Sequence, residues 1–183
     1  MGQRSAVTGQ DLRATMTDPP LVDYTLLLHE IEGQSARSAV LIAQAALETQ
    51  LKTVLDARLR RTVSAAARNL LFSQDGLYGS YARKVDAAHL MDLADAATLR
   101  DLELLEKMRA ECASNLHPVS FETGRLGEWF CELVRVRRPG VDLNNRQRGY
   151  IFADIVYELI QGLMMKSGDY AALHFSGAER ASQ

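Results

Sequence analysis

Arg109 and His117 place a fixed cation and a titratable imidazole near each other in the sequence, the one pairing here that could do acid–base chemistry. A guanidinium forks onto phosphate oxygens, and an imidazole exchanges a proton near neutral pH. Seven residues separate them, Ala110 directly follows the arginine, and Pro118 directly follows the histidine. Catalysis needs geometry before residue type, so the alternative is a surface arginine and a loop histidine. No other catalytic constellation is written in the chain. No Gly-rich loop leads into Lys-Ser or Lys-Thr, so there is no ATP cradle of the P-loop kind. Glu-x-x-His and His-Glu-x-x-His are both missing, so a di-iron bundle has no support. A Gly-x-Ser-x-Gly elbow is also missing. Cys112 and Cys131 could join His117 or His89 around a metal, but zinc sites use tighter paired spacing. Both thiols are read as buried and structural, with no metal and no cofactor expected.

Charge adds a second candidate. The chain has 183 residues and a formal net charge of −2, which excludes bulk electrostatic coating of a nucleic acid. That small sum hides three displaced segments. Lys52, Arg58, Arg60, Arg61 and Arg68 stand against Asp56 alone, and Arg135, Arg137, Arg138, Arg146 and Arg148 stand against Asp142 alone. Between Asp86 and Glu111, seven acids face Arg100, Lys107 and Arg109. Arg58, Arg60, Arg61, Arg68, Arg135, Arg137 and Arg138 are therefore a candidate basic patch for an acidic partner, nucleic acid included. The alternative is that these are helix-end cations, or partners for the acidic helix of the same chain. No helix-turn-helix pattern or interleaved aromatics accompanies them, which favours the second reading.

The elements that must position these residues are helices. At 47% hydrophobic and 24% charged, a chain of this length buries a core of its own. Leu21, Tyr24, Leu28 and Ile31 step by three and four, and Gly33 stops that helix. Ser35 opens the longest helix, which runs to about Arg61. Its buried stripe is Val40, Ala43, Leu47, Leu51 and Val54, with Gln44, Glu48, Lys52 and Asp56 on other faces. A short helix follows from Ser64 to Phe72, then a turn at Ser73-Gln74-Asp75-Gly76. The next stripe is Leu77, Tyr81, Val85 and Ala88. Asp95 caps a helix that runs to about Ala113 on Leu99, Leu102, Leu105, Met108 and Cys112. Pro118 breaks the chain before an amphipathic segment from Phe121 to Arg135. The last helix covers about Asn145 to Met165. Gly76, Gly79, Gly124 and Gly127 are read as turn or close-packing glycines. No alternating strand of useful length is present.

The expected fold is therefore all-α, a single irregular bundle of six to seven helices. Residues 1–20 are read as a flexible tail, 21–165 as the helical domain, and 166–183 as a loose C-terminal tail. Neither a signal peptide nor a membrane span is expected, which suits a cytoplasmic protein.

Two resemblances suggest functions. The Arg109…His117 pair resembles, at wider spacing, the ribonuclease motif of the HEPN helical superfamily, which implies an RNA-processing or toxin–antitoxin component in which Arg109 would stabilise a phosphate and His117 would act as general acid or base. The run from Gly76 to Phe121 resembles the mannitol operon repressor family. It is carried by Tyr81-Ala82-Arg83-Lys84-Val85-Asp86-Ala87-Ala88, by Asp101-Leu102-Glu103-Leu104-Leu105-Glu106-Lys107-Met108-Arg109, and by Pro118-Val119-Ser120-Phe121. Ala45 to Leu51 and Tyr150 to Met165 fit in place. Asp92 stands where the family usually has Gly, and Met108 to Ser114 keeps the Arg and Ala of the family's Ile-Arg-Asn-x-Phe-Ala-His. The resemblance implies a diverged member: a non-catalytic, all-helical bacterial regulator acting through protein partners. It makes Arg83, Lys84, Arg109 and His117 candidate phosphate or partner contacts. A homodimer through an apolar helix face is a further alternative, and direct nucleic-acid contact is left open.

Overall fold

The computed structural model describes residues 24–31, 34–59, 63–137, 139–140 and 148–167. Within them the chain forms seven α-helices and no strand. These are α1 (Tyr24–Ile31), α2 (Ala36–Arg58), α3 (Ala65–Phe72), α4 (Tyr81–Leu90), α5 (Ala96–Ser114), α6 (Gly124–Arg137) and α7 (Arg148–Ser167). The expectations for Leu21, Gly33, Arg60, Arg61, Arg138, Arg146 and the tail at 1–20 lie outside the described residues, as does 168–183 of the C-terminal tail. The end assigned to α7 takes in Lys166 and Ser167.

Four helices begin where a side-chain oxygen replaces the missing intrahelical acceptor. Ser35 accepts from Ser38 N at 3.2 Å, and Ser64 from Ala67 N at 3.2 Å. Ser80 accepts from Arg83 N at 3.3 Å, and Asp95 from Thr98 N at 2.9 Å. The α4–α5 turn passes through Asp92 at φ 57°, a left-handed conformation that Asp tolerates better than most side chains. That conformation gives a backbone reason for the glycine usual at this position in the resembled family.

α2 is the central helix, packed on α1, α4, α5 and α7. It lies parallel to α7, since Arg58 donates to Lys166 O at 2.6 Å where both helices end. It lies antiparallel to α5, since Arg37 in its first turn donates to Cys112 O in the last turn of α5. Val40, Ala43, Leu47, Leu51 and Val54 are all buried, as expected. So are Leu102, Leu105, Met108 and Cys112 of α5, and Ile155, Leu159 and Leu163 of α7. Phe121 joins α6 to α7 by meeting the rings of Phe130 and Phe152, each with centroids 4.9 Å away.

Three side chains depart from the sequence reading. Gln44 is buried, because it lies in phase with Val40, Leu47 and Leu51 and turns toward α5. Leu77 is 63% exposed, because it precedes α4 and stays in the turn that leads to it. Cys131 is only half-buried, because α6 presents Leu126, Phe130, Leu133 and Val134 to the bundle and leaves Cys131 at its flank. The glycines behave as turn and close-packing residues. A Cβ on Gly76 would overlap the carbonyl oxygen of Leu70, and Gly124 adopts φ +67°. No helix among the described residues is long and apolar enough to cross a membrane.

Candidate interaction surface

Along the α2–α5 seam the polar residues are tied to one another. Gln44 Nε2 donates to Glu106 Oε2 at 2.7 Å. Arg109 grips the same carboxylate with both prongs, Nε to Oε2 at 3.1 Å and Nη2 to Oε1 at 2.7 Å. This pairing raises the Arg109 guanidinium further above its usual range. Next to it the Tyr81 phenol is buried and pushed well up, with Glu106 and Glu48 adding to the effect of desolvation. Tyr81 is a neutral wedge that donates to Leu102 O at 3.4 Å. Lys84, 4% exposed, donates to Glu48 Oε1 at 2.8 Å and Gly79 O at 3.2 Å. Its ammonium locks α4 onto α2 and does not face solvent. Arg83, one residue earlier, is exposed and reaches Gly76 O at 3.0 Å.

His117 lies on the segment after α5. The break there is organised rather than open, because Arg37 of α2 donates to three backbone carbonyls of the departing chain. They are Cys112 O, Asn115 O at 2.6 Å and His117 O at 2.8 Å. Asn115 Oδ1 also accepts from His117 N at 2.9 Å, closing an Asx turn. Between them Leu116 stands 97% exposed. Arg109 and His117 share no hydrogen bond or ion pair, and the arginine's fork is filled by Glu106. The histidine imidazole is exposed and its backbone is part of the clamp.

Of the candidate basic patch, three residues are absorbed by acceptors of the same chain. Arg58 caps the end of α7. Arg68 binds Asp56 twice, to the carboxylate at 2.6 Å and the carbonyl at 2.9 Å. Arg137 Nε meets Asp101 Oδ2 at 2.7 Å, and Asp101 is fully buried. Arg100 Nη2 stands 3.8 Å from the other oxygen of Asp101, beyond hydrogen-bond reach. Arg137 of the second basic segment thus pairs with Asp101 of the acidic helix within the same chain. Arg135 is exposed and borders an open depression of about 430 Å³ with Glu122, Thr123, Gly127, Glu128 and Cys131. Arg60, Arg61 and Arg138 lie outside the described residues. Among the described residues no group of three His, Cys, Asp or Glu side chains could hold a metal.

The sequence reading passed over Arg37 and Leu116. Arg37 carried a signal: it is the first of a stripe, Arg37, Leu41, Gln44 and Glu48, that faces α5 and α4. Leu116 carried none, since a leucine before a proline break reads equally well as covered.

No protein-family model matches the chain, and no curated protein matches it. Its fold is similar to that of a chain in the X-ray structure of the MtlR-HPr complex from Escherichia coli, with a TM-score of 0.62 and 18% sequence identity. The match covers 76% of this chain and 97% of that chain. At that identity the likeness is one of fold.

Proposed function

We propose that this chain is a non-catalytic transcriptional regulator of the mannitol operon repressor type, and that it works through protein–protein contacts. The observation that carries the reading is the fold likeness, which takes in nearly all of a chain from a complex with the protein HPr. The helix-by-helix sequence resemblance points the same way.

The partner we propose is a protein of the HPr type, and the contact we assign for it is the α2–α5 seam where the chain leaves α5. Leu116 is an exposed apolar side chain on a segment already fixed by Arg37, so docking it costs little ordering entropy. Leu41, 41% exposed, lies one helical turn beyond Arg37 on the same stripe. Arg109 and His117 flank this ground and supply a polar rim. Arg58, Arg68 and Arg137 are engaged by the chain's own acceptors, which supports reading them as helix-end charges rather than as a nucleic-acid groove.

The test is transcription of the neighbouring operon in cells deleted for the gene and complemented with either the parent chain or Leu116→Asp. Repression restored by the parent and lost with Leu116→Asp, at equal protein levels, is the expected result. Unchanged transcription on deletion removes the regulatory reading.

A further inference from the structure

α3 is the one described helix with no buried residue, although its sequence is Ala-Ala-Ala-Arg-Asn-Leu-Leu-Phe. It packs on no other helix to the extent that the remaining helices do. Yet it is firmly built. Ser64 caps it, and Arg68 pins it to Asp56 at 2.6 Å. Phe72 meets Tyr78 at a centroid distance of 5.4 Å, and Tyr78 N donates to Leu71 O at 2.8 Å. The result is a fixed ledge that presents Leu70 at 70% exposure and Leu77 at 63%. Two large apolar side chains held in water, one on the short apolar helix α3 and one in the turn that follows it, mark a contact surface.

The charges around the ledge indicate what covers it. Lys52 lies over the Phe72 ring at 5.7 Å, and Arg83 reaches the turn at Gly76 O. Asp75 is exposed in that same turn. None of Lys52, Arg83 and Asp75 makes an ion pair among the described residues. An apolar centre bordered by unpaired charges of both signs is self-complementary. A two-fold contact requires this, because each patch must satisfy its own image. An acidic or basic partner would instead face one of these charges with its own sign.

We propose that the α3 ledge is the contact between two copies of this chain, with Leu70 and Leu77 packed across a two-fold axis and Asp75 of each copy facing Arg83 or Lys52 of the other. This goes beyond the regulatory reading and does not need it, since self-association is read on the purified protein alone.

Sedimentation equilibrium of the full chain, over about two decades of concentration, tests it. The expected mass rises from 20.3 kDa toward twice that value. Leu70→Asp and Leu77→Asp should each weaken the dimer about tenfold or more. Asp75→Arg and Arg83→Asp should each weaken it, and the two together should bring it back toward the parent. Leu70→Gln serves in place of Leu70→Asp if the latter fails to fold by circular dichroism. Monomer mass at every concentration overturns the proposal. A dimer that survives both leucine changes overturns it, and so does a charge-swapped double variant no tighter than its parents.

Discussion

Replacing Arg137 with Ala should destabilise the fold by about 2–3 kcal/mol, and the reason is Asp101. That carboxylate is fully buried, takes one 2.7 Å hydrogen bond from Arg137 Nε, and has no hydrogen bond to its second oxygen. Two charges about 4 Å apart at an effective dielectric of about 20 attract by about 4 kcal/mol. Arg137 is 24% exposed, so solvent screens part of this, and Arg100 at 3.8 Å softens the loss. Stranding a buried charge commonly costs about 3–5 kcal/mol, and the softening places this case at or below the low end. For a chain of this size, about 2–3 kcal/mol lowers the melting temperature by about 5–10 °C. Urea unfolding should show a lower midpoint with an unchanged slope. In an Asp101→Leu background, where there is no charge to strand, Arg137→Ala should cost less than about 1 kcal/mol. If Arg137→Ala stays within about 0.5 kcal/mol of the parent, the pair is not holding α6 to α5. The second basic segment would then be free for a partner after all.

Asp95 caps α5, and its bond from Thr98 N, helped by Lys166 at 3.4 Å, lowers its carboxyl to about 2. Its folded pKa lies below its unfolded value, so the stabilisation is complete above the ordinary carboxylate range and fades as pH falls through about 2. Asp95→Ala should therefore cost about 1 kcal/mol near neutral pH, with a gap to the parent that narrows in acid melts. Asp92→Gly should raise stability by up to about 1 kcal/mol in urea titrations, because it relieves the left-handed backbone at φ 57°. A thiol reagent should modify half-buried Cys131 in the folded protein. Cys112, buried and with its thiol pushed up by desolvation, should react only on unfolding.

The helices were legible because their signals are local and agree with one another. Ser35, Ser64 and Asp95 stand before apolar runs at helical spacing, and each caps a helix. Two buried polar side chains were also within reach of the pattern. Gln44 is in phase with Val40 and Leu47, and Asp101 with Leu104, Leu105 and Met108, so each should have been expected inside with a partner. What spacing along one helix cannot show is which distant residue answers it. Asp101 and Arg137 meet only because α5 and α6 run antiparallel. Arg109 looked free for a phosphate, whereas Glu106, one turn earlier, was already the nearest anion on its face. The exposure of Leu116 depends on Arg37, nearly eighty residues upstream in the chain, and no local pattern encodes it.

Isothermal titration of the purified chain with HPr from the organism that carries the gene tests the central claim most directly. Saturable binding that Leu116→Asp weakens at least about tenfold, with the melting temperature unchanged, is the predicted result. No heat and no complex with HPr, together with saturable, salt-dependent binding of the parent chain to the neighbouring promoter DNA, would contradict the claim that it works through protein contacts.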